Sequence, residues 1–312
     1  MVLTIILLVV GFVALIKGAD FFVDGASRLA LKFKVPSLII GMTIVAMGTS
    51  APECAVSISA SVAGSNGMAI SNVIGSNMFN LLVVCGICAA IVPMAVNKDT
   101  VKKDFPLSIG VGVLLLGLGA VGMVVGRIDG IILMVLFIGF LLLMISAARK
   151  NRANQPPADE IPLAFSWVKV LLSIGGGLVA IVIGGKLVVA SAETIAASFG
   201  LSENLIGLTV CAIGTSLPEL ITSIVAARKG EVDMAIGNVI GSNIFNILLV
   251  LGLAATISPC AMTMENVIDL VILTIISVIM LLMIVPKKRL NRPCGIICVG
   301  MYVVYMVYIC MR

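Results

Sequence analysis

Histidine is absent from the 312-residue chain. That excludes every mechanism that needs an imidazole: Ser-His-Asp hydrolysis, HExxH zinc sites and histidine proton relays. Charge is scarce too. Charged residues make up 11% of the chain, against about 25% in a soluble globular domain, and mean hydropathy is +1.24. A water-soluble fold is therefore excluded, and so is disorder, which needs low hydrophobicity and high charge. Long polar stretches are missing as well. The longest, 148–165 (ARKNRANQPPADEIPLAF), reads as a linker and is too short for a folded domain. The net charge of +5 does not point to nucleic acid, because the bases sit in short loops between apolar segments.

What is present is apolar sequence, 61% of the residues. At about 20 residues per membrane-spanning helix, ten spans fit: 2–24, 38–62, 69–93, 105–125, 129–147, 166–190, 204–227, 235–258, 266–285 and 294–311. The first lacks the basic n-region of a signal peptide, and its apolar pattern continues past Lys17 and Asp20, so it reads as a retained span. Charge tests the count independently. Loops 1–2, 3–4, 5–6, 7–8 and 9–10 carry 15 basic residues, and the opposite side has only Arg127 and Arg312. This asymmetry places the crowded loops in the cytoplasm and both termini outside. The linker at 148–165 divides the chain into a first five-helix half, 1–147, and a second, 166–312.

The halves repeat. Residues 41–53 (GMTIVAMGTSAPE) match 207–219 (GLTVCAIGTSLPE) at eight of 13 positions, at an offset of 166. Residues 69–86 (AISNVIGSNMFNLLVVCG) match 235–252 (AIGNVIGSNIFNILLVLG) at 13 of 18 positions, at the same offset. Chance likeness between apolar segments would match Leu with Ile, not Gly, Thr, Ser, Pro, Glu and Asn in register. Five spans is an odd number, so the second copy enters the membrane in the opposite sense. The expected fold is an all-α polytopic membrane protein of ten transmembrane helices in two inverted five-helix repeats, with broken helices at the midplane, where transporters of this architecture bind their substrates.

Of the 15 carboxylates, Glu53 and Glu219 lie deep within spans, at the same repeat position. An intramembrane carboxylate is costly and marks a functional site unless it has a structural ion-pair partner. No Lys or Arg lies in the middle of the other motif spans. Pro52 and Pro218 precede the glutamates. Proline lacks an N–H and clashes with the carbonyl four residues back, which frees the carbonyls of Gly48 and Gly214 and disturbs those of Thr49 and Thr215. Carbonyls freed in hydrocarbon must line a cavity or find another partner. A broken helix presenting carbonyls beside a carboxylate is the favoured reading, and a proline kink satisfied by Thr or Ser hydroxyls is the plainer one. Thr49, Ser50, Thr215 and Ser216 add hydroxyls. Ser76 and Asn80 share a helix face, as do Ser242 and Asn246, and Asn72 and Asn238 extend the two stripes. The competing reading for these is interhelical hydrogen bonding. The donors are all oxygen, which suits hard cations such as Ca²⁺ rather than soft metals. Two glutamates supply −2, enough to balance one Ca²⁺, two Na⁺ or two protons, so ions of different valence can compete for one pair of charges.

These motifs resemble the alpha repeats of the calcium/cation antiporter superfamily, and of its prokaryotic sodium/calcium exchangers in particular. The resemblance covers both halves and all ten spans. It implies Glu53 and Glu219 as central Ca²⁺ ligands, helped by the Thr49 and Thr215 carbonyls. It implies flanking Na⁺ sites completed by Ser50, Ser216, Ser76 and Ser242 with the Ala46 and Ala212 carbonyls, and Asn80 and Asn246 beside the central site. It also implies that the first and sixth spans are long, tilted helices that slide across the others, and it implies a prokaryotic inner membrane. Some sodium/calcium exchangers carry Asp at one of the two positions that are Asn here. The large cytoplasmic regulatory loop of eukaryotic exchangers has no counterpart beyond 148–165.

The expected function is secondary active exchange of Ca²⁺ for Na⁺ by alternating access. A Ca²⁺/H⁺ antiporter with the two glutamates as proton carriers stays open, and an ion channel is a further class. An enzyme is not expected, because the paired acids sit in GTSxPE without a YD or GxGD pattern. No cofactor, nucleic acid or obligatory protein partner is expected. The partners are the transported ions and the bilayer. The eight cysteines read as small apolar residues of the spans, with Cys54 and Cys211 as candidate targets of inhibitory thiol reagents. Asp20 and Lys186, which share a repeat position, read as snorkelling groups or as an ion pair.

Overall fold

A computed structural model of the protein describes residues 2–64, 66–153, 166–199 and 212–311. The long helices are α1 (Val2–Phe33), α4 (Gly67–Ile91), α5 (Thr100–Ala120), α6 (Arg127–Asn151), α7 (Trp167–Ser198), α10 (Val232–Ile257), α11 (Met264–Ile284) and α12 (Arg292–Met311). Each is long and apolar enough to cross a membrane. A ninth span is shared by α2 (Ser37–Thr49) and α3 (Ala51–Val62), which meet at a 48° bend. The short α8 (Ala212–Thr215) and α9 (Leu217–Arg228) fall in the second part of the seventh expected span. Its first residues, 204–211, and residues 154–165 of the linker lie outside the described residues.

Most helices begin within a few residues of their expected starts, but α1 and α7 run about eight residues past the apolar runs that suggested them. At 1.5 Å per residue each is about 48 Å long, well over a hydrocarbon core of about 30 Å. Burial sorts the helices. Some 78% of the central windows of α4 and α10 is buried, against 22% for α1 and α6 and 17% for α12. The two helices of the second motif are therefore far more buried than these three, whose apolar faces are left for lipid.

The chain forms two compact units, and each draws on both sequence halves: residues 1–49 with 142–238, and residues 50–141 with 239–312. In the first unit α1 lies antiparallel against α7. A Cβ at Gly11 would come 3.0 Å from the Gly184 carbonyl, and one at Gly18 would come 2.8 Å from that of Gly177. Glycine there lets the two backbones touch. Gly11 and Gly177 are related by the 166-residue offset, as are Gly18 and Gly184, so each contact is the repeat image of the other. Phe33 stacks at 5.8 Å on Trp167 at the adjoining ends of the two helices.

That antiparallel register decides the fate of Asp20. Contacting residues of α1 and α7 have numbers summing to about 195, so Lys186 lies opposite residue 9, about 16 Å along the helix from Asp20. Asp20 pairs instead with Lys229, just beyond α9. The Lys229 Nζ lies 2.7 Å from the Asp20 carboxylate and 2.6 Å from that of Asp24, and it donates to the Asp20 carbonyl at 2.9 Å. Partial burial pulls the Lys229 amine down, but the hydrogen bonds and charges of Asp20 and Asp24 outweigh it and hold its pKa above the ordinary 10.5.

In the second unit the same economy of glycine recurs. Gly86 of α4 meets Gly295 of α12, and Gly252 of α10 meets Gly130 of α6. Phe79 sets its ring edge-on to Tyr302, and Phe245 does so to Phe137. Gly252 and Phe245 are the 166-offset partners of Gly86 and Phe79, and the residues they meet, Gly130 and Phe137, lie one position from the exact repeat images of Gly295 and Tyr302. Two short antiparallel ladders join the loops. β1 (Met94–Ala95) pairs with β4 (Arg289–Leu290), and β2 (Val124–Val125) pairs with β3 (Cys260–Ala261).

Gly18→Leu should lower the unfolding temperature in detergent, by an overpacking cost of about 1–3 kcal/mol. Gly117→Leu, at a site where a Cβ meets nothing within 4 Å, should be nearly neutral. Lys229→Ala should cost about 1 kcal/mol or less, since the cluster is half-exposed. Because the Lys229 pKa is raised, its contribution is complete below the ordinary lysine pKa and is lost only as pH rises through the raised value. The gap between wild type and variant should therefore be constant from pH 7 to pH 9 in thermal melts.

Candidate functional site

The two GTSxPE motifs adopt one local structure. α2 ends at Thr49, Ser50 departs from helical geometry (φ −81°, ψ 8°), and α3 restarts with Pro52 in its first turn. In the second copy Ser216 has φ −94° and ψ 6°, and α9 restarts with Pro218. Proline suits a first helical turn, where its missing N–H leaves no bond unmade. The pattern S-x-P-E thus places Glu53 and Glu219 in the first turns of α3 and α9, where the positive end of the helix dipole favours an ionised carboxylate. Neither serine caps the following helix through its side chain, so the capping-box role open to an S-x-x-E sequence is not filled. The glycines before each break have a packing reason. A Cβ at Gly48 would lie 3.0 Å from the Phe22 ring and 3.1 Å from Leu178, and one at Gly214 would collide with Val189.

In the first unit Glu219 and Ser216 are fully buried, as are Thr49 and Ala46, while Thr215 is half-buried. The side chain of Ala212 lies outside the described residues, as does Cys211. Asn238 ties three helices together. Its Nδ2 donates to Ser223 Oγ at 2.9 Å and to the Glu219 carbonyl at 3.4 Å, and its Oδ1 accepts from the Thr49 hydroxyl at 3.1 Å. That hydroxyl also faces the Val45 carbonyl at 3.1 Å and the Ala46 carbonyl at 3.3 Å.

In the second unit Glu53, Ser50, Ser76, Asn80, Ser242 and Asn246 are all buried. Asn72 donates to Ser57 at 3.0 Å, the repeat image of the bond from Asn238 to Ser223. Interhelical hydrogen bonding is thus the role of Asn72 and Asn238. The crossing of α4 and α10 holds a second network. Asn77 Nδ2 donates to the Asn243 carbonyl at 3.1 Å, and Asn243 Nδ2 to the Asn77 carbonyl at 3.4 Å. Asn80 Nδ2 donates to Asn243 Oδ1 at 3.2 Å, and Asn246 Nδ2 to Asn77 Oδ1 at 3.1 Å. Both helices widen into π-helical turns that start at the outer members of this quartet, over Asn80–Val84 and Asn246–Leu251. Such turns are rare and concentrate at functional sites. Four polar atoms in this region are buried with no hydrogen-bond partner among the described residues: Asn80 Oδ1, Asn246 Oδ1, Ser76 Oγ and Ser242 Oγ. They form two repeat-related pairs.

The sequence pattern did not single out Asn77 and Asn243, nor Ser57 and Ser223. The signal for the asparagines was available, since GSN stands unchanged at 75–77 and 241–243. Among the described residues no group of three or more His, Cys, Asp or Glu side chains is placed to hold a metal. The chemistry on offer is that of carboxylate, amide and hydroxyl oxygens, which hard cations accept as ligands.

Comparison with known proteins agrees with this chemistry. Residues 3–146 and 169–311 match the family described as sodium/calcium exchanger protein. The chain belongs to that family. It is 40% identical over 271 residues to inner membrane protein YrbG of Escherichia coli, covering 83% of this chain and 81% of that one. It is 39% identical to the putative antiporter CaxA of Alkalimonas amylolytica, over 98% of both chains. Its structure matches that of the sodium-calcium exchanger NCX_Mj soaked with 2.5 mM Na⁺ and 1 mM Sr²⁺, with a TM-score of 0.86 and 31% identity over 98% of both chains. This member of the family is an integral membrane transporter built of helical spans.

Asn238→Ala should destabilise the protein by about 1–3 kcal/mol, because the buried Ser223 hydroxyl loses its donor and Thr49 loses an acceptor. A lowered thermal midpoint in detergent checks this.

Proposed function

We propose that the protein is a secondary active antiporter that exchanges Ca²⁺ for Na⁺ by alternating access, with Glu53 and Glu219 as the charged ligands. The observation that carries this reading is the doubled set of buried oxygens. A fully buried glutamate stands at the same position of each repeat, and the amide and hydroxyl oxygens of Asn80, Asn246, Ser76 and Ser242 have no partner among the described residues. An unsatisfied buried acceptor costs about 1–3 kcal/mol, and four of them in two matched pairs fit a polar ligand that arrives and leaves. Two carboxylates neutralise one Ca²⁺ or two Na⁺, and an empty set of like charges in an apolar interior is costly. Reorientation is then favoured with cargo bound, which couples the two fluxes. In this reading the carbonyls of Thr49, Thr215, Ala46 and Ala212 and the hydroxyls of Ser50 and Ser216 complete the coordination. Membership of the sodium/calcium exchanger family and the likeness to NCX_Mj support it.

The fold goes with ten spans in two inverted repeats. The ladders support the count. An even number of crossings must separate β1 from β4 and β2 from β3, since paired strands lie on one side of a membrane. Between β2 and β3 the described residues hold three candidate spans, α6, α7 and α10, an odd number that the seventh expected span, 204–227, makes even. The antiparallel glycine contacts of α1 and α7, each the repeat image of the other, support inversion. The basic loops then face the cytoplasm and both termini face outward, in a prokaryotic inner membrane like that named for YrbG.

A second reading, Ca²⁺/H⁺ exchange, draws on the neutral Asn at both 80 and 246. The site then carries −2, a charge that two protons also balance.

The test is Ca²⁺ uptake into proteoliposomes under outward Na⁺ or outward H⁺ gradients. Uptake driven by Na⁺ is expected, with loss of about two to four orders of magnitude in apparent Ca²⁺ affinity in Glu53→Gln and in Glu219→Gln, as removal of one partner of a buried charge pair costs about 3–5 kcal/mol. Uptake driven by H⁺ alone would establish the second reading. Wild-type activity retained in both variants would overturn the assignment of the glutamates.

A further inference from the structure

The asparagine quartet has a directional logic that starts from the backbone. A carbonyl can only accept. Asn243 bonds the Asn77 carbonyl at 3.4 Å, so it must present its NH₂ group there. Its Oδ1 therefore faces Asn80, 3.2 Å away, and Asn80 must answer with its own NH₂ group. The Asn80 Oδ1 is left on the other side of the amide, buried and without a partner among the described residues. The same steps run from the Asn243 carbonyl through Asn77 to Asn246, over 3.1 Å and 3.1 Å, and leave the Asn246 Oδ1 in the same condition. Neither outer amide can flip without setting oxygen against oxygen. An ionised carboxylate at 80 or 246 would meet the same repulsion.

We propose that Asn77 and Asn243 are positioning residues: by accepting from Asn246 and Asn80, they hold the outer amides with their carbonyl oxygens turned toward the transported cation. The inference rests on the Ca²⁺ reading above and adds to it the means by which two neutral side chains become reliable cation ligands. Primary amides rotate and flip freely when unpaired, and a flipped amide would offer a cation its NH₂ group. The bonds run diagonally between helices. Asn77 on α4 sets Asn246 on α10, and Asn243 on α10 sets Asn80 on α4. Behind the quartet lies a water-sized cavity of about 10 Å³, lined by Asn77, Asn243, Ser108 and Thr274 among others. Ser108 and Thr274 are again 166 residues apart, so the cavity, lined by both polar and apolar side chains, repeats the pairing.

The diagonal pattern makes the test specific. Na⁺-driven Ca²⁺ uptake by the purified protein in proteoliposomes would be measured for KM and maximal rate in the wild type, in Asn77→Ala, Asn243→Ala, Asn80→Ala and Asn246→Ala, and in four double variants. Each inner alanine should raise the Ca²⁺ KM about tenfold, the worth of one lost hydrogen bond to a ligand. Asn77→Ala should add nothing to Asn246→Ala, nor Asn243→Ala to Asn80→Ala, because each pair acts as one unit. The same-helix pairs, Asn77 with Asn80 and Asn243 with Asn246, should add fully. A purely structural role in packing would couple the same-helix neighbours at least as strongly as the diagonal ones. Where alanine variants do not fold, Asn77→Ser and Asn243→Ser keep a polar group beside the cavity, are too short to hold the outer amide, and should show the same pattern. Wild-type KM in the inner variants, or additivity across the diagonals, would overturn the proposal with the antiporter reading intact. A wild type without coupled Ca²⁺ uptake would overturn both.

Discussion

Inside an apolar helix bundle a polar atom has no water to bond, so every amide, hydroxyl and carboxylate placed there must be answered by another part of the protein or by a ligand. Much of the interior follows from that constraint. Asn238 spends its donors and its acceptor on three helices at once. Asn72 is spent on Ser57, and Asn77 and Asn243 on each other's backbone. Among the described residues several buried hydroxyls also lack a partner, those of Ser27, Ser61, Thr100 and Thr222, but the oxygens of Asn80, Asn246, Ser76 and Ser242 form two repeat-related pairs. A bundle that satisfies its other asparagines so fully has reason to leave these four open, and the transport of a hard cation supplies one.

Matched backbone irregularities accompany the polar groups of the two motifs. The breaks at Ser50 and Ser216 put Glu53 and Glu219 at helix starts, where the dipole offsets part of the cost of a buried negative charge. The π-turns begin at Asn80 and Asn246. Two further π-turns lie at Gly41–Val45 in α2 and at Thr100–Asp104 in α5, and the long helices are joined by close glycine contacts, Gly11 and Gly18 in one unit and Gly86 and Gly252 in the other. Without a hydrophobic driving force between helices in lipid, close backbone approach is the available source of packing energy. Glycine-packed helices thus frame the two repeated motifs.

Much of this was legible in the chain. Apolar runs located the spans, since the hydrocarbon dictates their length, and the 166-residue offset located the paired motifs. The S-x-P-E pattern carried its own helix start. The lengths of α1 and α7 were less legible, because hydropathy stops at Asp20 and Asp24 while the helix continues, supported from a distance by Lys229. The pairing of Asp20 with Lys186 was a reasonable guess from repeat position. It failed because an antiparallel register places equivalent residues opposite each other only near the contact centre, around residues 14 and 180, and Asp20 is several residues from it.

The sequence by itself determined that this is a membrane protein of many helical spans with a repeated, oxygen-only set of polar residues. Those properties depend on hydrophobic length, on composition and on the register of identical residues, all of them local or periodic. Only the tertiary structure decided which asparagines are consumed in holding helices together and which keep an oxygen free. Asn72, Asn77 and Asn80 are alike in chemistry and lie within nine residues of one another. What separates them is the side chain each one meets, and Asn77 and Asn80 meet residues some 166 positions away, at a distance and angle set by the crossing of two helices.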